Sequence, residues 1–205
     1  MRALIVVDVQ NDFLPGGSLA VPAGDTIIPI INRLFPRFDL AVATQDWHPA
    51  HHESFASNNP DGQIGEVVTL HGLPQVLWPD HCVQHSWGAE FSVSLDLKSI
   101  KKIFCKGTDP TVDSYSGFFD NGKKQDTGLN VYLKSRGIDQ VYLVGLATDY
   151  CVKYTALDAV SLGFKTTVIS DAVKAVNLQP TDQENAIREM ISAGVQIRIS
   201  NEVEE

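Results

Sequence analysis

The chain has 205 residues, 43% of them hydrophobic and 20% charged, a balance that fits one globular domain with a sizeable core and excludes a disordered chain. Its net charge of −9, from 16 basic and 25 acidic residues, argues against a nucleic-acid partner, which calls for a basic face. No stretch approaches the roughly 20 apolar residues of a membrane span, and the first apolar run stops at Asp8, too short for a secretory leader, so the expected location is the cytoplasm.

In chain order, residues 4–7 are a continuous apolar run ending in a polar turn, the pattern of a buried parallel strand. Residues 26–35 have apolar groups at helical spacing, with Asp25 as a candidate cap. Residues 40–44 read as a second strand and 103–105 as a short third. Residues 127–135 form a helix stopped by Gly137, and 141–144 a fourth strand. Residues 149–162 form a helix stopped by Gly163, and 166–169 a fifth strand. Residues 181–193 form a helix with Thr181 or Asp182 as cap and Gly194 after it, and 195–199 a sixth strand. This alternation predicts an α/β fold in which a parallel sheet is covered by helices on both faces, within a single domain over residues 1–205. Residues 45–94 and 107–125 break the rhythm and read as long loops, which in compact domains are usually functional.

A parallel sheet brings its strand ends to one edge. Asp8 follows the first strand, Asp46 and His48 the second and Lys106 the third. Cys151 follows the fourth strand, at the start of a helix. The N–H groups and dipole of a helix start lower a thiol's pKa and can hold an oxyanion. A buried structural cysteine is the plainer alternative. Asp8 as a proton acceptor and Lys106 as its counter-charge favour a nucleophile. Cys82 and Cys105 lack such company and read as core or supporting residues. Three cysteines without paired spacing are expected to be free thiols.

Asp46-Trp47-His48 places a carboxylate and an imidazole on the same side of an extended segment. His81, in Trp78-Pro79-Asp80-His81-Cys82-Val83, offers a third ligand, and two His with one Asp suit zinc, manganese or iron. His52 is a further candidate ligand or neighbour. The alternative is a set of surface or packing histidines. Phe13, Trp78 and Tyr115 are candidates for a flat apolar slot, or for packing under the loops.

Four segments occur in order: Ile5-Val6-Val7-Asp8-Val9-Gln10-Asn11-Asp12-Phe13, Thr44-Gln45-Asp46-Trp47-His48-Pro49, Trp78-Pro79-Asp80-His81-Cys82-Val83-Gln84 and Gly145-Leu146-Ala147-Thr148-Asp149-Tyr150-Cys151-Val152. Together they resemble the nicotinamidase (pyrazinamidase) branch of the isochorismatase-like cysteine hydrolase superfamily, from residue 1 to about 200. The resemblance implies a Rossmann-like, six-stranded parallel sheet between helices. It implies hydrolysis of nicotinamide to nicotinate and ammonia through a cysteine thioester, deamidation of pyrazinamide, and a place in NAD salvage and pyridine nucleotide biosynthesis. By the same resemblance Asp8, Lys106 and Cys151 are the catalytic triad. Asp46, His48 and His81 hold one divalent metal ion per chain, zinc first, with manganese or iron as alternatives. Phe13, Trp78 and Tyr115 bind the ring. A cis Leu146–Ala147 bond and the N–H groups of Ala147 and Cys151 make the oxyanion hole. His85, followed by Ser86, stands where many relatives carry Gly or Asn, followed by Thr or Ser, which leaves open whether His85 faces the pocket or solvent.

The implied partner is a small-molecule amide, with no nucleic acid and no membrane; a homo-oligomer is compatible with the sequence. The alternative activity is another amidase of the superfamily acting on an N-carbamoyl or ureido compound. An isochorismatase is disfavoured by Cys151 and the Asp46-Trp47-His48 block, and a non-enzymatic binding module by the intact Asp, Lys and Cys.

Overall fold

A computed structural model describes residues 1–203. The strand β1 (Arg2–Val7) is apolar on both faces because it lies in the middle of the sheet. Leu4 and Val6 face one core, and Ala3, Ile5 and Val7 the other. The next segment is a 3-10 turn over Gly24–Ile27 followed by the helix α1 (Ile28–Leu34). Pro29 sits in the first turn of α1 and Pro36 lies just past its end, so prolines punctuate the helix. Asp25 lies within the 3-10 turn and no side-chain cap bond forms there, which corrects the expected cap.

After β2 (Leu40–Asp46), the expected loop contains a hairpin of β3 (Val67–Leu70) and β4 (Leu73–Val76). His71 and Gly72 both take positive φ, 49° and 82°, as a two-residue hairpin turn requires. Then come β5 (Ile103–Lys106), α2 (Leu129–Ser135), β6 (Gln140–Leu146), α3 (Lys153–Ser161), β7 (Lys165–Lys174), α4 (Asp182–Ser192) and β8 (Gln196–Arg198). Thr181 occupies the cap position of α4 without a side-chain cap bond.

The main sheet has six parallel strands in the order β5-β2-β1-β6-β7-β8. Ile28, Ile31 and Leu34 of α1 cover one face; Leu129 and Leu133 of α2, Ala156 and Ala159 of α3 and Met190 of α4 cover the other. Burying a side chain such as Ile31 or Leu133 contributes roughly 1.5–3 kcal/mol. The chain builds outward from β1 through β2 to β5, then crosses back to begin the other half at β6. The order therefore reverses between β1 and β6, and a crevice forms beyond their carboxyl ends. Gly145, at φ +114°, permits this contact: a Cβ there would lie 2.0 Å from the Val7 carbonyl oxygen.

Candidate active site

Each strand of the β5-β2-β1-β6 half delivers a functional side chain to that edge. Asp8 follows β1, with φ 49°. Asp46 and Lys106 close β2 and β5 as register partners. Cys151 lies beyond β6 in a π-helical turn over Thr148–Val152 that leads into α3. In this turn the Ala147 carbonyl accepts from both Tyr150 N–H and Val152 N–H.

Asp8, Lys106 and Cys151 meet as expected. The Lys106 Nζ lies 2.9 Å from Asp8 Oδ2 and 3.4 Å from Cys151 Sγ. It also donates to Asp46 Oδ1 at 2.6 Å and to the Ser114 carbonyl at 2.9 Å. Thr44 Oγ1 donates to Asp8 Oδ1 at 2.7 Å. All of these side chains are buried. Burial opposes the charge on Lys106, but Asp46 and Asp8 outweigh it and hold the ammonium well above its ordinary pKa. Burial raises Asp8, and Lys106 offsets this only in part. Asp46, with Lys106 and His48 both against it, is held below the ordinary carboxyl range despite its burial.

The thiol corrects one expectation. Burial pushes Cys151 well above its ordinary value, Lys106 pulls it down, and Asp8 and Asp46 raise it further. The lowering expected from the helix start is outweighed by desolvation and two carboxylates. These influences favour the protonated form of the thiol, which has the Asp8 carboxyl group beside it. Cys105 is also corrected: it is exposed on the edge strand β5, whereas Cys82 is fully buried. All three cysteines are free.

Asp46, His48 and His81 converge, with the two Nε2 atoms 3.6 and 3.8 Å from Asp46 Oδ2. His48 Nδ1 donates to the Gly107 carbonyl at 2.9 Å and His81 Nδ1 to the Pro79 carbonyl at 2.8 Å. These bonds place the proton on Nδ1 and turn each Nε2 lone pair toward Asp46, as when a carbonyl orients a histidine for a metal ion. His48 Nε2 is buried without a hydrogen-bond partner among the described residues. Burial and His48 together lower His81 to about 4, which keeps it a neutral imidazole. Against its burial, Asp46 pulls His48 the other way, above its ordinary value. Two Nε2 atoms facing one carboxylate, one of them without a hydrogen-bond partner among the described residues, are a donor set that fits a divalent ion. Gly107 makes room for this: at φ +64°, a Cβ would lie 2.3 Å from the His48 ring.

Phe13, Trp78, Tyr115 and Ala147 line one cavity with Cys151, Asp46 and His81. The Phe13 ring lies 5.6 Å from that of His81, and Trp78 Nε1 donates to the Tyr115 hydroxyl at 3.3 Å. The Leu146–Ala147 peptide is cis. His52 stays outside the Asp46, His48 and His81 group. It instead forms a second cluster with His48 and Asp113, and its Nε2 is unpartnered among the described residues. His85 is exposed, its ring edge-on to Trp47 at 5.2 Å, and takes no part in the slot.

Sequence reasoning passed over Asp113, Gln10 and Thr44. Gln10 donates to the Asp46 carbonyl and accepts from the Asp46 N–H, both at 2.8 Å, so it fixes the backbone of the carboxylate. Its place two residues after Asp8 was the available signal. Asp113 carried none beyond its nearness to Tyr115.

A parallel sheet with Asp, Lys and Cys at its switch point, beside a buried His, His and Asp cluster, defines a class, and the chain belongs to the isochorismatase domain family, whose model matches residues 2–202. It is 50% identical over 202 residues to a nicotinamidase from Escherichia coli, covering 94% of this chain and 92% of that protein. A nicotinamidase structure from Acinetobacter baumanii superposes with TM-score 0.96 at 50% identity, covering 99% of this chain and 98% of that one. A pyrazinamidase from Pyrococcus horikoshii, solved in complex with zinc, matches with TM-score 0.78 at 42% identity, covering 97% and 98%. No helix among the described residues is long and apolar enough to cross a membrane.

Proposed function

We infer that the protein is an amidohydrolase that converts nicotinamide to nicotinate and ammonia and also deamidates pyrazinamide. The observation that carries this reading is 50% identity to a nicotinamidase over nearly the full length. The site geometry supports a thioester route. Asp8 takes the Cys151 proton as the sulfur attacks the amide carbon. A C–S bond forms and the carbonyl electron pair moves onto oxygen, where the N–H groups of Ala147 and Cys151 stabilise it. As the C–N bond breaks, Asp8 returns the proton to the departing nitrogen, which leaves as ammonia. Water then attacks the thioester with Asp8 as base. The C–S bond breaks, nicotinate leaves and Cys151 recovers its proton. A carboxyl group with a raised pKa suits both the base and the acid half of this cycle. Lys106 supplies the counter-charge for Asp8 throughout.

Phe13, Trp78 and Tyr115 sandwich and orient the ring. Asp46, His48 and His81 hold one divalent ion per chain, zinc by the chemistry of the donor set, with manganese or iron as alternatives. When bound, it supplies a Lewis-acidic position in the slot wall for a pyridine nitrogen or a water. The chain 1–205 acts as one hydrolase domain on a small-molecule amide, in the cytoplasm, in NAD salvage and pyridine nucleotide biosynthesis.

Ammonia release from nicotinamide, pyrazinamide and an N-carbamoyl amino acid tests the reading. Turnover of the two aromatic amides is expected. Turnover confined to the carbamoyl compound overturns it.

A further inference from the structure

Gln75 lies on β4, in the hairpin outside the main sheet, yet its side chain is only 5% exposed. Its two Nε2 hydrogens face three acceptors, the Val76 carbonyl at 2.8 Å, Asp113 Oδ2 at 2.9 Å and the Tyr115 hydroxyl at 3.1 Å, so one N–H is shared between two of them. The first two partners only accept, so the orientation of the amide is determined: Oε1 in the same place would face a carbonyl and a carboxylate. The Tyr115 oxygen thus sits between the Gln75 amide, as one of the acceptors sharing its two N–H groups, and Trp78 Nε1–H. The remaining oxygen of Asp113 accepts from the Ser114 N–H at 2.7 Å. One buried amide therefore joins the hairpin to two side chains 38 and 40 residues away, one of them a wall of the cavity that holds Cys151.

We propose that Gln75 is a positioning residue for substrate affinity: it locks Tyr115 against Trp78 and holds Asp113, so that the aromatic slot is preformed before the ring enters. This rests on the reading of Tyr115 as a ring-binding residue. A two-stranded hairpin is marginal by itself. Without its tether, β4 and the Tyr115 loop become free to separate, and the substrate has to order them on binding. The loss then falls on affinity, because Gln75 touches none of the reacting atoms.

The test is a double-mutant cycle of Gln75→Leu and Tyr115→Phe, with Gln75→Met made in parallel in case the first does not fold. Each single variant is expected to raise KM for nicotinamide about tenfold with kcat within about threefold. The double variant is expected to be no more than about twofold worse than the weaker single, because both remove the same bond. Multiplying effects, or a loss confined to kcat, overturn the proposal. Binding of nicotinamide to Cys151→Ala protein, measured by calorimetry with and without the Gln75 change, reads positioning apart from turnover. A tenfold rise in Kd is expected, and an unchanged Kd overturns it. Absence of ammonia release by the unmodified protein overturns the activity instead.

Discussion

The Lys106 ammonium lies 2.6 Å from Asp46 Oδ1, closer than its 2.9 Å approach to Asp8, and so ties the proton-transfer pair to the candidate metal ligands. Removing it strands two buried carboxylates at once. Lys106→Ala is expected to lower kcat/KM by about three orders of magnitude and to destabilise the fold by about 3–5 kcal/mol, the usual cost of breaking a buried pair. Lys106→Arg keeps the charge but places a planar fork where a compact ammonium meets four neighbours, so partial recovery is expected. Steady-state kinetics and urea unfolding measure the two effects. Full activity in Lys106→Ala contradicts the role given to it.

Cys151→Ala is expected to leave a folded protein with turnover reduced at least 1,000-fold, since no other group can form the thioester. Mass spectrometry of the acid-quenched wild type should show Cys151 carrying an acyl group. Near-normal ammonia release by the alanine variant ends the nucleophile assignment.

Asp8 is expected to set the acid limb of the pH profile. Burial raises its pKa above the ordinary 3.8, and Lys106 only partly restores it. Because Asp8 must be ionised to take the thiol proton, kcat/KM should fall on acidification with a midpoint above that of an ordinary carboxyl group. The linkage has a definite sign. A carboxyl whose pKa is higher in the folded state costs stability above that pKa, and the cost fades as pH falls through it. Asp8→Asn is therefore expected to be nearly inactive at neutral pH yet melt no lower than wild type. A strongly lowered Tm at neutral pH would falsify this account of the site's electrostatics.

Gly107→Ala is expected to impair metal binding without touching a ligand. A methyl group at this position meets the His48 ring at 2.3 Å, on a backbone whose φ of +64° already disfavours it. Metal content by elemental analysis should fall at least tenfold relative to wild type purified alongside. Asp46→Ala combined with His48→Ala, or chelation, should produce the same loss and mainly raise KM. Unchanged metal content in Gly107→Ala shows that His48 binds no ion in this pose.

The strands were legible in the sequence because a parallel strand buried on both faces is an unbroken apolar run, and β1 is one. Asp8, Asp46, Lys106 and Cys151 were legible because each stands at or just past such a run, and parallel strands bring their carboxyl ends to one edge. The hairpin was less plain. Leu73-Pro74-Gln75-Val76 alternates weakly and contains a proline, so only the His71-Gly72 turn marked it. The upward shift of the Cys151 thiol was not legible for a different reason. A helix start is visible in the chain, whereas the burial that outweighs it and the approach of Asp8 and Asp46 arise only when β1, β2 and the turn after β6 pack together. The sequence by itself determined the strand order of chemical groups along the chain and their arrival at one edge. Only the tertiary structure decided which ammonium faces which carboxylate, which lone pairs are left unpaired, and how far from water they lie, because desolvation and short-range electrostatics depend on distances that no local pattern contains.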